Sequence, residues 1–241
     1  MGWRFIDTDL ADPIYVTAAD DAICNARIQE KIDNTCHFYR RNSPTISVGR
    51  SRKIEDDINL DECIKNNVKI IRRISGGGTI FTDKNCLIYS LVFNKNDLDL
   101  KSSEEIFKKI CNLISNSLKT FNIITTFKPP NDILLNKKKI SGSAQIFKRN
   151  ITLIHGSLLL DTDLDLMKSV LKNSKTSNVS TIYKEIKFLP EMSKLKKTIR
   201  REFEKYFDSE FIESRFSALE GEMINRLVRE RYQKDNWNLM R

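Results

Sequence analysis

Three consecutive glycines, Gly76, Gly77 and Gly78, follow Arg72, Arg73, Ile74 and Ser75 in a chain with only eight glycines among 241 residues. A residue this scarce does not fall three in a row by composition. Lacking a Cβ, glycine lets the backbone take φ > 0 or approach a ligand closely. Val68 to Ile71 upstream and Leu87 to Phe93 downstream read as strands. A glycine loop between strands, edged by two arginines, suits an anion held by backbone N–H groups and a guanidinium fork. A tight turn would use the same residues.

The other glycines sharpen the choice. Six of the eight lie at 49, 76, 77, 78, 142 and 156, next to Arg50, Arg73, Lys139 and His155. A purely structural sheet has no need of its rare glycines beside cations, so the joint placement favours a ligand site. Lys139 opens an Ile-Ser-Gly-Ser-Ala segment, where an ammonium can neutralise a phosphate or charge developing in a transition state. It is equally one of three consecutive lysines of a turn, each able to face water. His155 reads either as a packed neutral imidazole or as a base.

The periodicity predicts an α+β fold, with mixed or antiparallel sheets flanked by helices. Helices are expected over 18–32, after a Thr17/Asp20 capping box, and over 53–66, 103–120, 163–172, 191–206 and 216–233. Strands are expected at 36–40, 45–48, 122–127, 131–135, 139–144 and 151–160, with a polar loop at 173–182. No repeat or low-complexity linker divides the chain. At 241 residues it fits one large domain or a domain plus a small appendage.

Several classes drop out. No apolar run reaches the roughly 20 residues of a membrane span, and Met1 to Leu10 has no signal core, so a cytoplasmic protein is expected. Five cysteines stand singly and only two histidines occur, which argues against a disulfide framework and a His/Cys zinc site. The net charge of +9 comes without an RRM, zinc-finger or basic-region pattern, so nucleic acid is not the expected partner. Lysines such as Lys194, Lys196, Lys197 and Lys205 read as a solvated helix face.

With these residues in view, the sequence resembles the lipoate–protein ligase family. Arg72 to Gly78 with Thr79-Ile80-Phe81 and Asp83 matches the family's Arg-Arg-x-Ser-Gly-Gly-Gly motif and the strand and Asp after it. Asn131-Asp132, Lys139 to Ala144 and His155-Gly156-Ser157-Leu158-Leu159 match three more motifs in order. The ending, Tyr232 through Trp237-Asn238, is similar to the end of the family's large domain.

The resemblance implies the biotin/lipoyl ligase catalytic fold, a single catalytic domain over 1–241 with its ligand-binding core at about 30–215, and a two-step reaction. Lipoate and MgATP give lipoyl-AMP, and the lipoyl group then passes to a lysine of a lipoyl-domain acceptor. Such acceptors are the 2-oxoacid dehydrogenase E2 subunits and the glycine-cleavage H protein. By motif position, Arg73, Gly78, Thr79, Ile80, Phe81 and Lys139 would meet ATP, with Lys139 the catalytic cation. Arg72, Ser75, Gly76, Gly77, Lys139 and His155 would line the lipoate site. Arg50, Asp83, Asn85, Asn131, Asp132, Ser141, Gly142 and Ser143 would be supporting polar groups, with Asp132 a ligand for Mg²⁺. Many family members carry a further small domain after this point; the resemblance implies that a separate small accessory subunit can supply its part here.

Two rivals share the evidence. An octanoyl- or lipoyl-transferase of the same superfamily would work through a cysteine thioester, yet no cysteine follows Cys111, and only Cys86 lies near the glycine loop. A non-catalytic basic module docking lipoyl domains or RNA would suit the charge alone.

Overall fold

The first strand, Trp3–Ala11 (β1), is one the periodicity did not announce, because Asp7 and Asp9 interrupt its alternation. It pairs in parallel with β2 (Asn34–Arg41) and with the short β11 (Phe211–Glu213), also unannounced. In this computed structural model, which describes residues 2–97, 102–172 and 176–240, these strands begin an eight-stranded sheet. Its order is β11-β1-β2-β6-β10-β9-β8-β7, with β6 Cys86–Asn94, β7 Thr126–Lys128, β8 Asp132–Leu135, β9 Lys138–Lys148 and β10 Ile151–Leu159. A second sheet, β4-β3-β5, joins Lys69–Arg72, Thr45–Val48 and Ile80–Thr82. The strands expected at 36–40 and 45–48 therefore belong to different sheets. The mixed α+β architecture is the expected one.

Alternation along the strands splits the molecule into layers. Cys36, Phe38, Tyr89, Leu91, Ile154 and Leu158 face one side and bury against the stripe Ile106, Ile110 and Ile114 of α4 (Ser103–Lys119). Leu195, Ile199 and Phe203 of α7 (Met192–Phe207) complete that core. The opposite face carries His37, Tyr39, Ile88 and His155. It is covered by α1 (Pro13–Ile28) and by the small sheet through Val16, Ile46, Val48 and Phe81.

Several local expectations are corrected. Helix α1 starts five residues earlier than the expected 18, with Asp12 as N-cap accepting from Ile14 and Tyr15 and Pro13 in the first turn. Thr17 and Asp20 form no capping box: Thr17 donates to the Pro13 carbonyl, and Asp20 lies in the core. The helix expected at 53–66 is two, α2 (Ile54–Asp57) and α3 (Leu60–Lys65), with Ile58 bridged to Leu171 between them. The strand expected from 122 begins at Thr126, since Asn122 turns at φ 60°. A short helix, α6 (Ile182–Ile186), closes the polar stretch expected to be all loop; 173–175 of that stretch lie outside the described residues. The helix expected over 216–233 is α8 (Ala218–Leu227) followed by a π-helical turn, and α9 (Asp235–Asn238) comes after it. Lys196 is not on a solvated face: it is buried against Asp7 and Asp9.

Candidate active site

Strand register puts one row of side chains straight across the large sheet. Tyr39, Ile88, Ser157, Gly142 and Asp132 lie opposite one another on β2, β6, β10, β9 and β8. Four strand spacings make that row roughly 19 Å long. A second row, His37, Ser90, His155 and Ala144, runs beside it. Much of these rows is the floor of a cavity of about 310 Å³; Ser47, Arg73, Gly78, Thr79 and Ile80 of the small sheet and its glycine loop roof it. The volume sits at the lower end of ligand sites.

At the β8–β9 side, Lys139 Nζ lies 2.6 Å from Asp132 Oδ1, and both side chains keep some exposure. The lysine reaches that position by lying over Gly142, where any Cβ would come within 2.9 Å of Nζ and Cε. Asn131 ties this edge down by donating to the Ser143 carbonyl. The backbone of Lys139 is gripped by a neighbouring loop: its N–H donates to the Asn178 carbonyl at 2.8 Å, and its carbonyl accepts from Ser180 at 2.9 Å. Ser177, Asn178 and Val179 thereby become part of the wall.

The roof is held from within. Arg73 is buried; Nη2 donates to the carbonyls of Gly76 and Gly78, both at 2.7 Å, Nη1 to that of Ser47 at 2.8 Å, and Nε to Ser75 Oγ at 3.1 Å. Burial, with Arg41 nearby, lowers its pKa to about 10, still charged at neutral pH. Gly77 turns at φ 83°, a conformation other residues rarely take, and its carbonyl is packed against Gly49. Asp20 is held ionised and can only accept, so His155 Nδ1 donates to Asp20 Oδ2 at 3.2 Å. In the neutral ring Nε2 is then the acceptor, and the Ser75 hydroxyl donates to it from 2.6 Å away.

Asp20 collects three donors: His155, His37 Nδ1 at 3.0 Å and Tyr39 OH at 2.9 Å. The chain's only two histidines thus meet on one carboxylate. Burial alone would raise the Asp20 pKa, but the hydrogen bonds from His155 and His37 reverse this and hold it well below the usual carboxylate range. Burial pushes the His155 imidazole down against the pull of Asp20, with Arg73 and Arg41 adding to the fall.

Of the residues expected from sequence, Arg73, Gly78, Thr79, Ile80, Asn131, Asp132, Lys139, Gly142, Ser143 and His155 line this one cavity. The others do not. Ser75 stands behind His155, Gly76 and Gly77 shape the loop, and Phe81 and Ser141 are buried beneath the surface. Asp83 accepts from the backbone of Asn85 and Asp163, and the Asn85 side chain donates to the Asp161 carbonyl, so this pair fastens a turn. Arg50 stacks on Trp237. Arg72 gives its guanidinium to backbone carbonyls on the far side of the loop.

Sequence reasoning missed Asp20, Tyr39, Arg41, Ser47, Lys128 and Ser157. A visible signal was the pair Asp20-Asp21 set among Ala18, Ala19 and Ala22, on a helix face too apolar for exposed acids. Among the described residues, Asp132 is the one carboxylate on the cavity wall, and no cluster of three or more His, Cys, Asp or Glu could cage a metal. All five cysteines are buried, and none reaches the cavity wall. Burial pushes the thiols of Cys63 and Cys111 up to about 11 and that of Cys24 to about 12, and those of Cys36 and Cys86 rise further.

Residues 12–204 match the model of the lipoyl protein ligase A/B catalytic domain. The chain belongs to that family. It is an enzyme of the lipoate ligase and transferase group. The octanoyltransferase LipM of Halalkalibacterium halodurans is 28% identical over 98% of both chains. In fold the chain is similar to a lipoate–protein ligase A crystallised with ATP, with a TM-score of 0.87 and 23% identity over 99% of both chains. It is equally similar to the bi-partite lipoate protein ligase of Thermoplasma acidophilum, with a TM-score of 0.87, 22% identity and 100% and 98% of the two chains covered. Among the described residues no helix is long and apolar enough to cross a membrane.

Proposed function

We propose that this chain is a lipoate–protein ligase that activates lipoate with ATP to lipoyl-AMP and transfers the lipoyl group to a lysine of a lipoyl-domain acceptor. The observation that carries the reading is the convergence of the glycine loop and Lys139 on one cavity whose wall holds no thiol. A mixed anhydride with AMP is already activated, so its formation asks for positioning and charge neutralisation rather than an enzyme nucleophile.

Each part then has a task. The backbone of Gly78 and Thr79 receives the nucleotide, with Arg73 fixing the loop from behind. Lys139 leaves Asp132 for the carboxylate and α-phosphate, where its charge offsets the repulsion of two anions. The acyl tail runs across Gly142 and Ala144 toward His155 and Tyr39. Mg²⁺ commonly keeps several waters and binds through one or two carboxylates together with substrate phosphates, so Asp132 fits as its protein ligand. When bound, the ion would supply charge neutralisation on the phosphates. Acceptors are E2 subunits of 2-oxoacid dehydrogenases and the glycine-cleavage H protein. The bi-partite organisation named for the Thermoplasma enzyme supports a separate accessory subunit here too.

Similarity to an octanoyltransferase favours a second reading, thiol-mediated acyl transfer. Buried thiols with raised pKa values are poor nucleophiles, which counts against it. The deciding test is intact mass spectrometry of a purified lipoyl domain incubated with this chain. The ligase reading expects a lipoyl mass gain only with ATP and lipoate together. A gain from an octanoyl thioester without ATP would establish the transferase instead.

A further inference from the structure

Trp237 and Asn238, singled out in the sequence, are not among the residues lining the cavity, and both bond Arg72. The Arg72 side chain is fully buried with no carboxylate to pair with among the described residues. Its guanidinium donates to the carbonyls of Gly49 (3.0 Å), Arg52 (2.7 Å), Trp237 (3.2 Å) and Met240 (2.6 Å). Its backbone N–H donates to Asn238 Oδ1 at 3.1 Å, and its carbonyl accepts from Trp237 Nε1 at 2.8 Å. The Asn238 amide is itself oriented by donating to the Tyr232 carbonyl at 2.9 Å. Arg50 and Arg231 both pack on the Trp237 ring, with guanidinium carbons 4.2 and 4.6 Å from its centroid.

The knot leads to the glycine loop by two routes. Arg72 ends β4, directly before the loop. The segment 49–52, which Arg72 gathers, donates from Arg50 N to the Ser75 carbonyl at 2.9 Å. It also packs so closely on the loop that a Cβ at Gly49 would stand 2.1 Å from the Gly77 carbonyl. Segment 235–240 is thus joined to Gly76–Gly78 by contiguous contacts through Arg72 and 49–52.

We propose that segment 235–240 is a strap that sets the conformation of the glycine loop, with Trp237 and Asn238 acting through Arg72 as positioning residues for nucleotide binding. Its effect on ATP rests on the ligase reading above; its effect on the loop does not. Two mild variants test it. Trp237→Phe keeps a ring against the two arginines but removes the N–H to Arg72, and Asn238→Ala removes the acceptor of the Arg72 amide.

Two measurements are read together: hydrogen exchange of the ligand-free chain over 73–79 and 87–93, and the steady-state kinetics of adenylate formation. Each lost bond is expected to speed exchange over 73–79 by roughly five- to tenfold, with 87–93 unchanged. KM for ATP should rise by about the same factor while kcat stays within about twofold. Exchange at wild-type rates over 73–79 in both variants, or acceleration shared equally by 87–93, would overturn the strap. A wild-type chain that forms no adenylate would sink the ligase reading instead, and the exchange data would still decide this one.

Discussion

The arginine above the cavity and the lysine on its floor bear the same charge and hold it in opposite ways. Arg73 is buried, with its N–H groups aimed at Ser47, Ser75, Gly76 and Gly78. Lys139 is part-exposed, carries one ion pair with Asp132, and rests on a strand whose next inward position is a glycine. A guanidinium that satisfies four groups of its own protein shapes a loop; an ammonium with one exchangeable partner can move to a ligand. The sequence motif flags both cations alike, and only their surroundings separate architecture from chemistry.

That contrast can be broken by mutation. Lys139→Ala should cost two to three orders of magnitude in lipoyl-AMP formation, of the order seen when one stabilising donor is removed. Its melting temperature should barely move, because a part-exposed ion pair contributes about 0–1 kcal/mol. Arg73→Gln should do the reverse in emphasis, lowering stability by roughly 3 kcal/mol in chemical denaturation as buried carbonyls lose their donor. A Lys139 variant that unfolds, or an Arg73 variant that melts like wild type, would erase the distinction.

Smaller effects sharpen it. Gly142→Ala puts a methyl group where the Lys139 side chain lies, and should cut turnover about tenfold while changing stability little. The buried histidine cluster predicts a pH effect with a definite sign. His155 has its folded pKa below 6.5, so between the two values the unfolded chain binds the extra proton and stability falls on acidification. The contribution of Asp20 is present above 3.8 and is lost only as pH falls toward its lowered folded value. Melting temperature should therefore drop between pH 7 and 5, and His155→Leu should flatten that slope. Least of all, Cys86→Ala and Cys111→Ala should leave lipoyl transfer within about twofold of wild type, since neither thiol reaches the cavity.

Much of this site was legible in the residues. The clustering of scarce glycines beside cations pointed to the loop, the lysine strand and His155, and 151–160 read as a strand. What stayed hidden was long-range. Asp20 looked like a capping residue because its partners His37, Tyr39 and His155 are 17, 19 and 135 positions away. Arg72 and Arg73 are adjacent in sequence and on opposite sides of a strand, and local pattern cannot say which one turns inward. The strands β1 and β11 were missed for a related reason: their acids are satisfied by Lys196 and Arg200 of α7, which only the fold brings to them.

The most direct test of the shared cavity is chemical. The protein is incubated with lipoate, ATP and Mg²⁺, denatured, and the released small molecules are identified by mass spectrometry. The expected result is lipoyl-AMP and pyrophosphate from wild type and roughly a hundred- to thousandfold slower formation of both by Lys139→Ala. Lipoyl-AMP formed equally well by Lys139→Ala, or none formed by wild type while an acyl thioester is consumed without ATP, would contradict the assignment of this cavity to adenylate chemistry.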